Sequence, residues 1–207
     1  MSQASYIKPG IRIYSHRDGK GANRVRFVAW QDSVDFIRRL WLHRGLGACL
    51  ERNWQEACPI CEKANDLLRE GWGFRALSKQ GILMGKNPRI LAQIIDRNDE
   101  EMGVQVWDVS GSEIEIALIS LSVHKETGLI VPWTDPEYGS DLIYDYDVTA
   151  ANPKPSNLRR SWQSKLNLEL YDKIMQNLDD DVIQKPSYEG LAAIYARKIA
   201  ARNLVQD

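Results

Sequence analysis

Residues 41–68 read WLHRGLGACLERNWQEACPICEKANDLL, and the rest of the chain is interpreted outward from them. Cys58 and Cys61 form a CPIC knuckle, Cys49 lies nine positions upstream, and His43 lies six before that. One imidazole and three thiolates within nineteen residues make the donor set of a closed, tetrahedral, structural zinc site. A C-x-x-C turn lets two thiolates meet one ion, and Pro59 stiffens that turn by fixing its own φ. The chain has three cysteines, and all of them fall in this window. The expected ligands are therefore His43, Cys49, Cys58 and Cys61. If His43 is a core histidine instead, His16 or a water completes the shell.

Three other readings of the cysteines compete. Buried free thiols rarely cluster so tightly. A redox CPIC of the thioredoxin kind needs a strand running directly into the motif, whereas the polar loop 51–56 precedes this one. A secreted disulfide framework fits poorly with an odd number of cysteines and with MSQASYIKPG, which lacks the apolar core of a signal peptide. The expectation is a reduced, cytoplasmic setting. Four protein ligands leave no open coordination position, so the metal reads as structural rather than catalytic.

Length and composition bound the rest. The 207 residues, 43% hydrophobic and 27% charged, suit one soluble domain with a small insert. Net charge is −1 but unevenly placed. Residues 1–56 carry ten Lys/Arg against five Asp/Glu, and the remainder 17 against 23, which predicts a basic face near the cysteine stretch.

Residues 1–22 read as an arm rich in turn signals. RVRFVAWQ (24–31) alternates: Val25, Phe27 and Ala29 face one way, and Arg24, Arg26, Val28 and Trp30 the other, as in a strand covered on one side. A second extended piece over 36–43 carries Arg38, Arg39 and Trp41. A short helix over 62–70 follows the knuckle. RILAQIID (89–96) and VQVWDV (104–109) form a hairpin, and 113–123 has helical spacing, although SEIEIALISLS also contains an alternating stretch that fits a strand. Strands are expected again at 142–148 and 157–166, with helices over 168–178 and 188–204. The fold class is mainly β with added helices: a small Greek-key barrel over 23–166, a zinc insert at about 38–75, and a helical segment over 167–207.

Catalytic motifs are missing. The chain has no phosphate-binding G-x-x-x-x-G-K-[ST] loop, no G-x-G-x-x-G and no G-x-S-x-G. A zinc deaminase needs H-x-E, but Arg44 and Gly45 follow His43. Asp145 and Asp147 read mainly as a solvated pair, and they are the first carboxylates to test for a hidden metal-dependent nuclease. Arginines interleaved with aromatic rings suit single-stranded nucleic acid instead, since unpaired bases stack on the rings while basic groups follow the phosphates. The candidate contacts are Arg24, Arg26, Trp30, Arg38, Arg39, Trp41, Arg44, Lys86, Arg89, Trp107, Arg159, Arg160 and Trp162. The alternative is a zinc-ribbon adaptor between proteins of a phage replication or virion complex.

With these residues in view, the chain resembles the single-stranded DNA-binding, helix-destabilising proteins of tailed bacteriophages, of the T-even type. The likeness rests on the order of RVRFVA, FIRRLWLHRG, Cys49, CPIC, EKANDLL, RILAQIID, GVQVWD and TDPEYGSDL across about 24–166. It implies an OB-fold, a five-stranded Greek-key barrel, with a zinc subdomain beside a DNA cleft, acting in replication, recombination and repair. It carries zinc ligation to His43, Cys49, Cys58 and Cys61, base stacking to Trp107, and cleft charge to Arg26, Lys86 and Arg89. MSQASYIKPG does not match the family's basic arm, and ARKIAARNLVQD is not its acidic tail. Cooperative binding and tail-mediated recruitment of replication or recombination proteins are therefore not carried over.

Overall fold

The computed structural model describes residues 6–29, 36–80, 82, 87–151, 153–167, 169 and 177–203. Two compact units emerge: Pro9–Arg39 with Arg89–Val182, and Met1–Lys8 with Leu40–Pro88 and Ile183–Asp207.

The first unit is built on β1 (Gly19–Val28), β2 (Arg38–Leu40), β5 (Arg89–Asp96), β6 (Val104–Ser110), β7 (Ser140–Tyr146) and β8 (Ser156–Gln163). The strand order is β2-β5-β1-β7-β8, with β6 also on β5. The ladders of β1 with β5 and β7, of β5 with β6, and of β7 with β8 are antiparallel. Among the described residues no ladder joins β8 back to β6, so the sheet is mainly antiparallel and open. The α4 helix (Ser112–Leu121) follows β6 and starts at Gly111, whose φ of 115° suits a residue without a side chain. The expected hairpin at 89–109 and the helix near 113–123 are present. The arm does more than expected, because Ile13 bridges Val106 and Tyr14 is buried in the core.

That core gathers Val25, Phe27, Ile90, Ile94, Trp107, Trp133, Leu142 and Tyr144. On β1, Arg26 and Val28 are as fully buried as Val25 and Phe27. The strand is therefore covered on both faces, not one. Its second face lies under the connection 133–141, whose carbonyls at Asp135 and Gly139 accept hydrogen bonds from the Arg26 guanidinium.

The second unit holds β3 (Leu42–His43), β4 (Gly47–Ala48), α1 (Leu50–Trp54), α2 (Pro59–Arg69), α3 (Phe74–Gln80) and α5 (Tyr188–Asn203). Leu46, Cys49, Leu50, Cys58, Ile60, Leu67, Leu77 and Leu191 form its core. Residues 183–203 are part of this unit rather than a separate segment. Leu191 is buried, Tyr188 donates from its hydroxyl to Glu62 at 2.6 Å, and Lys198 donates to the Arg44 carbonyl at 2.7 Å. The helix expected over 168–178 lies largely outside the described residues. Among the described residues no helix is long and apolar enough to cross a membrane.

Candidate functional site

The candidate metal site is assembled from three short elements. β3 and β4 pair through Leu42 with Ala48 and His43 with Gly47. The intervening turn needs left-handed backbone at Gly45, φ 68°, which glycine adopts without strain. This hairpin places His43 on one arm and Cys49 just past the other. Cys49 then caps α1, its sulfur accepting the Arg52 N–H at 3.4 Å. Residues 55–57 are irregular, and Cys58 caps α2 with Pro59 in the first turn. Cys61 follows within that turn. No strand runs into the CPIC, which separates the motif from the thioredoxin arrangement.

The four donor atoms lie within 4.8 Å of one another. His43 Nε2 is 3.3 Å from Cys58 Sγ and 3.6 Å from Cys61 Sγ, and the Cys49 and Cys61 sulfurs are 3.5 Å apart. Bonds of about 2.3 Å to sulfur and 2.0–2.1 Å to nitrogen imply tetrahedron edges of about 3.4–3.8 Å. The cluster therefore fits one tetrahedral metal ion. The second ring nitrogen, His43 Nδ1, lies 3.2 Å from the Ile82 carbonyl, a contact that leaves Nε2 free to face an ion.

Electrostatics reinforce the geometry. Burial opposes a charged His43 imidazole, yet hydrogen bonding and attraction from Cys49 and Cys58 raise its pKa to about 9. Hydrogen bonds with Cys49 and Cys61 drive Cys58 far down, while the contacts of Cys61 with Cys49 and Cys58 drive it far up. The donors thus compete for shared protons at close contact, and a central cation would take the place of those protons.

Asn53 was not visible from the sequence. Its amide accepts from the Trp41 N–H at 2.9 Å and donates to the carbonyls of Trp41 and Cys49 at 2.8 and 2.7 Å. It thereby ties the strand before His43 to the start of α1. The sequence reads 51–56 as a polar loop, whereas Leu50–Trp54 forms the helix α1, and an asparagine there carries no local mark of such a role. Arg52 lies over the Trp41 ring, 5.6 Å from its centroid.

The candidate nucleic-acid residues scatter. Arg26 is fully buried against Asp141, and Trp107 is fully buried with its indole N–H donated to the Tyr144 hydroxyl at 3.1 Å. Neither has surface to offer a phosphate or a base. Alternation on β1 identifies opposite faces without showing that a second layer covers the outer one, and Trp107, carried over by the resemblance, packs in the core with Phe27 and Tyr144. Trp30 and Lys86 lie outside the described residues. Arg24 pairs with Asp141 at 2.6 Å, Arg38 with Asp179 at 2.9 Å, Arg39 with Glu115, and Arg89 with Asp108 at 2.7 Å. Arg159 stands 3.6 Å from Asp145. Trp41 and Arg44 belong to the metal unit, half-buried and exposed respectively.

Arg160 and Trp162 do come together, two positions apart on β8. Trp162 is 91% exposed. The two line a groove of about 590 Å³ with His124, Leu129, Ile130 and Val131, and among the described residues no carboxylate lines it. Asp145 and Asp147 are occupied by local structure: Asp145 accepts from Gly21 and Asn157, and Asp147 from Thr149. Compared with protein-family models and with curated proteins, the chain matches none.

Proposed function

We propose that this chain is a sequence-tolerant single-stranded DNA-binding protein without catalytic chemistry. Its metal is a structural zinc ion held by His43, Cys49, Cys58 and Cys61. The observation that carries the reading is Trp162, a flat ring standing in solvent beside Arg160 in a groove that no carboxylate lines among the described residues. Stacking of an unpaired base on such a ring contributes about 1–3 kcal/mol, and a neighbouring guanidinium favours the phosphate without selecting sequence. The Cys₃His set and its near-tetrahedral separations support zinc, and four protein ligands support a structural role. The antiparallel sheet, interrupted between β1 and β5 by the metal-binding stretch, supports an OB-type scaffold. The corresponding setting is phage DNA replication, recombination and repair in the host cytoplasm, together with proteins of those complexes.

A second reading is a protein–protein adaptor. It is favoured by Leu129 and Ile130, 68% and 82% exposed along the same groove. One titration separates the two. Zinc-loaded protein mixed with oligo-dT should show tryptophan quenching, and log affinity should fall by about 0.7 per phosphate contact for each decade of salt. Folded protein whose spectrum and gel mobility do not change at low salt would overturn the DNA reading and leave the groove to a protein partner.

A further inference from the structure

We infer that Cys61 is the point at which peroxide attacks the metal centre, and that the product is a Cys49–Cys61 disulfide that expels the ion. This rests on the proposed zinc occupancy. Cys49 and Cys58 are 0% and 1% exposed, whereas Cys61 is half-buried. Cys61 lines a pocket of about 230 Å³ whose rim includes Glu51, Arg52, Asn65 and the exposed ring of Phe74. Neither Cys49 nor Cys58 lines it. Of the three cysteines, Cys61 is therefore the one that a small neutral oxidant entering this pocket meets first. The Cys49 sulfur waits 3.5 Å away and must close to about 2.05 Å to bond. Cys58 also touches Cys61, but of the two it lies closer to the His43 ring, its sulfur 3.3 Å from Nε2 against 3.6 Å for that of Cys61.

The chemistry balances with hydrogen peroxide as the co-reactant. An electron pair of the Cys61 thiolate attacks one peroxide oxygen, the O–O bond breaks, and hydroxide leaves, giving a sulfenic acid. The Cys49 thiolate then attacks the Cys61 sulfur, the S–O bond breaks, and a second hydroxide leaves. Two thiolates are oxidised by two electrons in all, and the peroxide oxygens depart as two waters after taking two protons from solvent. The ion loses two of its four ligands and is released. Because Cys49 caps α1 and Cys61 lies in the first turn of α2, the cross-link also holds both helix starts together in the metal-free unit.

The test uses full-length protein whose metal content is measured first, since a chain without stoichiometric zinc fails the zinc reading rather than this one. Zinc-loaded protein receives one equivalent of hydrogen peroxide while a chromogenic chelator reports released metal. Remaining thiols are then alkylated and the peptides mapped by mass. The expected result is one zinc released per Cys49–Cys61 disulfide, with Cys58 alkylated and both changes reversed by dithiothreitol and added zinc. Asn65→Trp, which places a ring over the pocket mouth, should slow release severalfold at unchanged metal content. A Cys58–Cys61 or Cys49–Cys58 disulfide as the first product, zinc retained after oxidation, or an unchanged rate in Asn65→Trp would each overturn the inference.

Discussion

Arg26 and Asp141 form an ion pair with Nε and Oδ1 2.7 Å apart, and neither side chain retains any solvent-exposed surface. The guanidinium also donates to the carbonyls of Gly139 and Ser164, at 2.7 and 2.6 Å. Asp141 in turn receives Arg24 at 2.6 Å and Ser164 Oγ at 3.1 Å. A buried charge this well paired is tolerable, but one left alone is costly. Asp141→Asn should therefore destabilise the protein by about 3–5 kcal/mol in urea titrations. Ser164→Ala, which removes one of several acceptors, should cost about 1 kcal/mol. If Asp141→Asn unfolds within about 1 kcal/mol of wild type, the network is not what holds the 133–141 connection over β1.

Metal removal should unfold more than a loop. The ligands fix the β3–β4 hairpin and the starts of both α1 and α2, and Leu191 of α5 shares the same core. Zinc binding of the order of 10–16 kcal/mol couples directly to the folding of such a unit. Chelator in excess should strip one equivalent and lower the far-ultraviolet helical signal. Cys58→Ser should purify with much less than one equivalent. Elemental analysis paired with circular dichroism decides it: stripped protein that melts like the loaded form would refute the coupling.

The gathering of His43, Cys49, Cys58 and Cys61 was legible because coordination chemistry is local. Four donors within nineteen residues, with a proline-stiffened knuckle, leave few ways to fold. The hairpin at 89–109 and the helix α4 were legible for the same reason, their periodicity being a property of short windows. What failed was layer number. Arg26 lies on an alternating strand whose pattern distinguishes two faces, but the cover on its face comes from Asp135 and Gly139, more than a hundred residues away. A charged residue in an alternating strand reads as solvent-facing unless its distant partner is known. Asn53 was invisible for a related reason, because all three of its bonds depend on a turn that exists only once the cysteines are gathered.

His16 should make stability depend on pH. Its Nδ1 lies 2.8 Å from the Tyr144 hydroxyl, and its ring stacks on Tyr146 at 4.2 Å. Burial, reinforced by the charge of Arg89, lowers its pKa from 6.5 to about 4. Between those values the unfolded chain takes up a proton that the folded chain refuses. The contribution is thus whole above about pH 6.5 and is lost as pH falls toward 4, by at most about 3 kcal/mol. His16→Gln should flatten this part of the profile. Urea midpoints at pH 7, 5.5 and 4.5 for both proteins give the difference, and parallel profiles would show that His16 is not the titrating group.

Trp162 and Trp107 divide the two roles a tryptophan can have, so they should separate cleanly in experiment. Trp162 stands almost wholly in solvent, and removing it withdraws little packing. Trp162→Ala should keep stability within about 0.5 kcal/mol and weaken oligo-dT binding by about 1–3 kcal/mol, roughly 5- to 150-fold. Arg160→Gln should reduce the salt slope by about 0.7, the share of one phosphate. Trp107 packs edge-on to Phe27, with ring centroids 5.7 Å apart, and donates its N–H to Tyr144. Trp107→Phe should therefore cost stability, through a cavity and the loss of one hydrogen bond, while leaving the affinity of the folded protein unchanged. Fluorescence titration and urea unfolding of the three variants measure both axes. Should Trp162→Ala bind as tightly as wild type, β8 is not the surface on which bases stack.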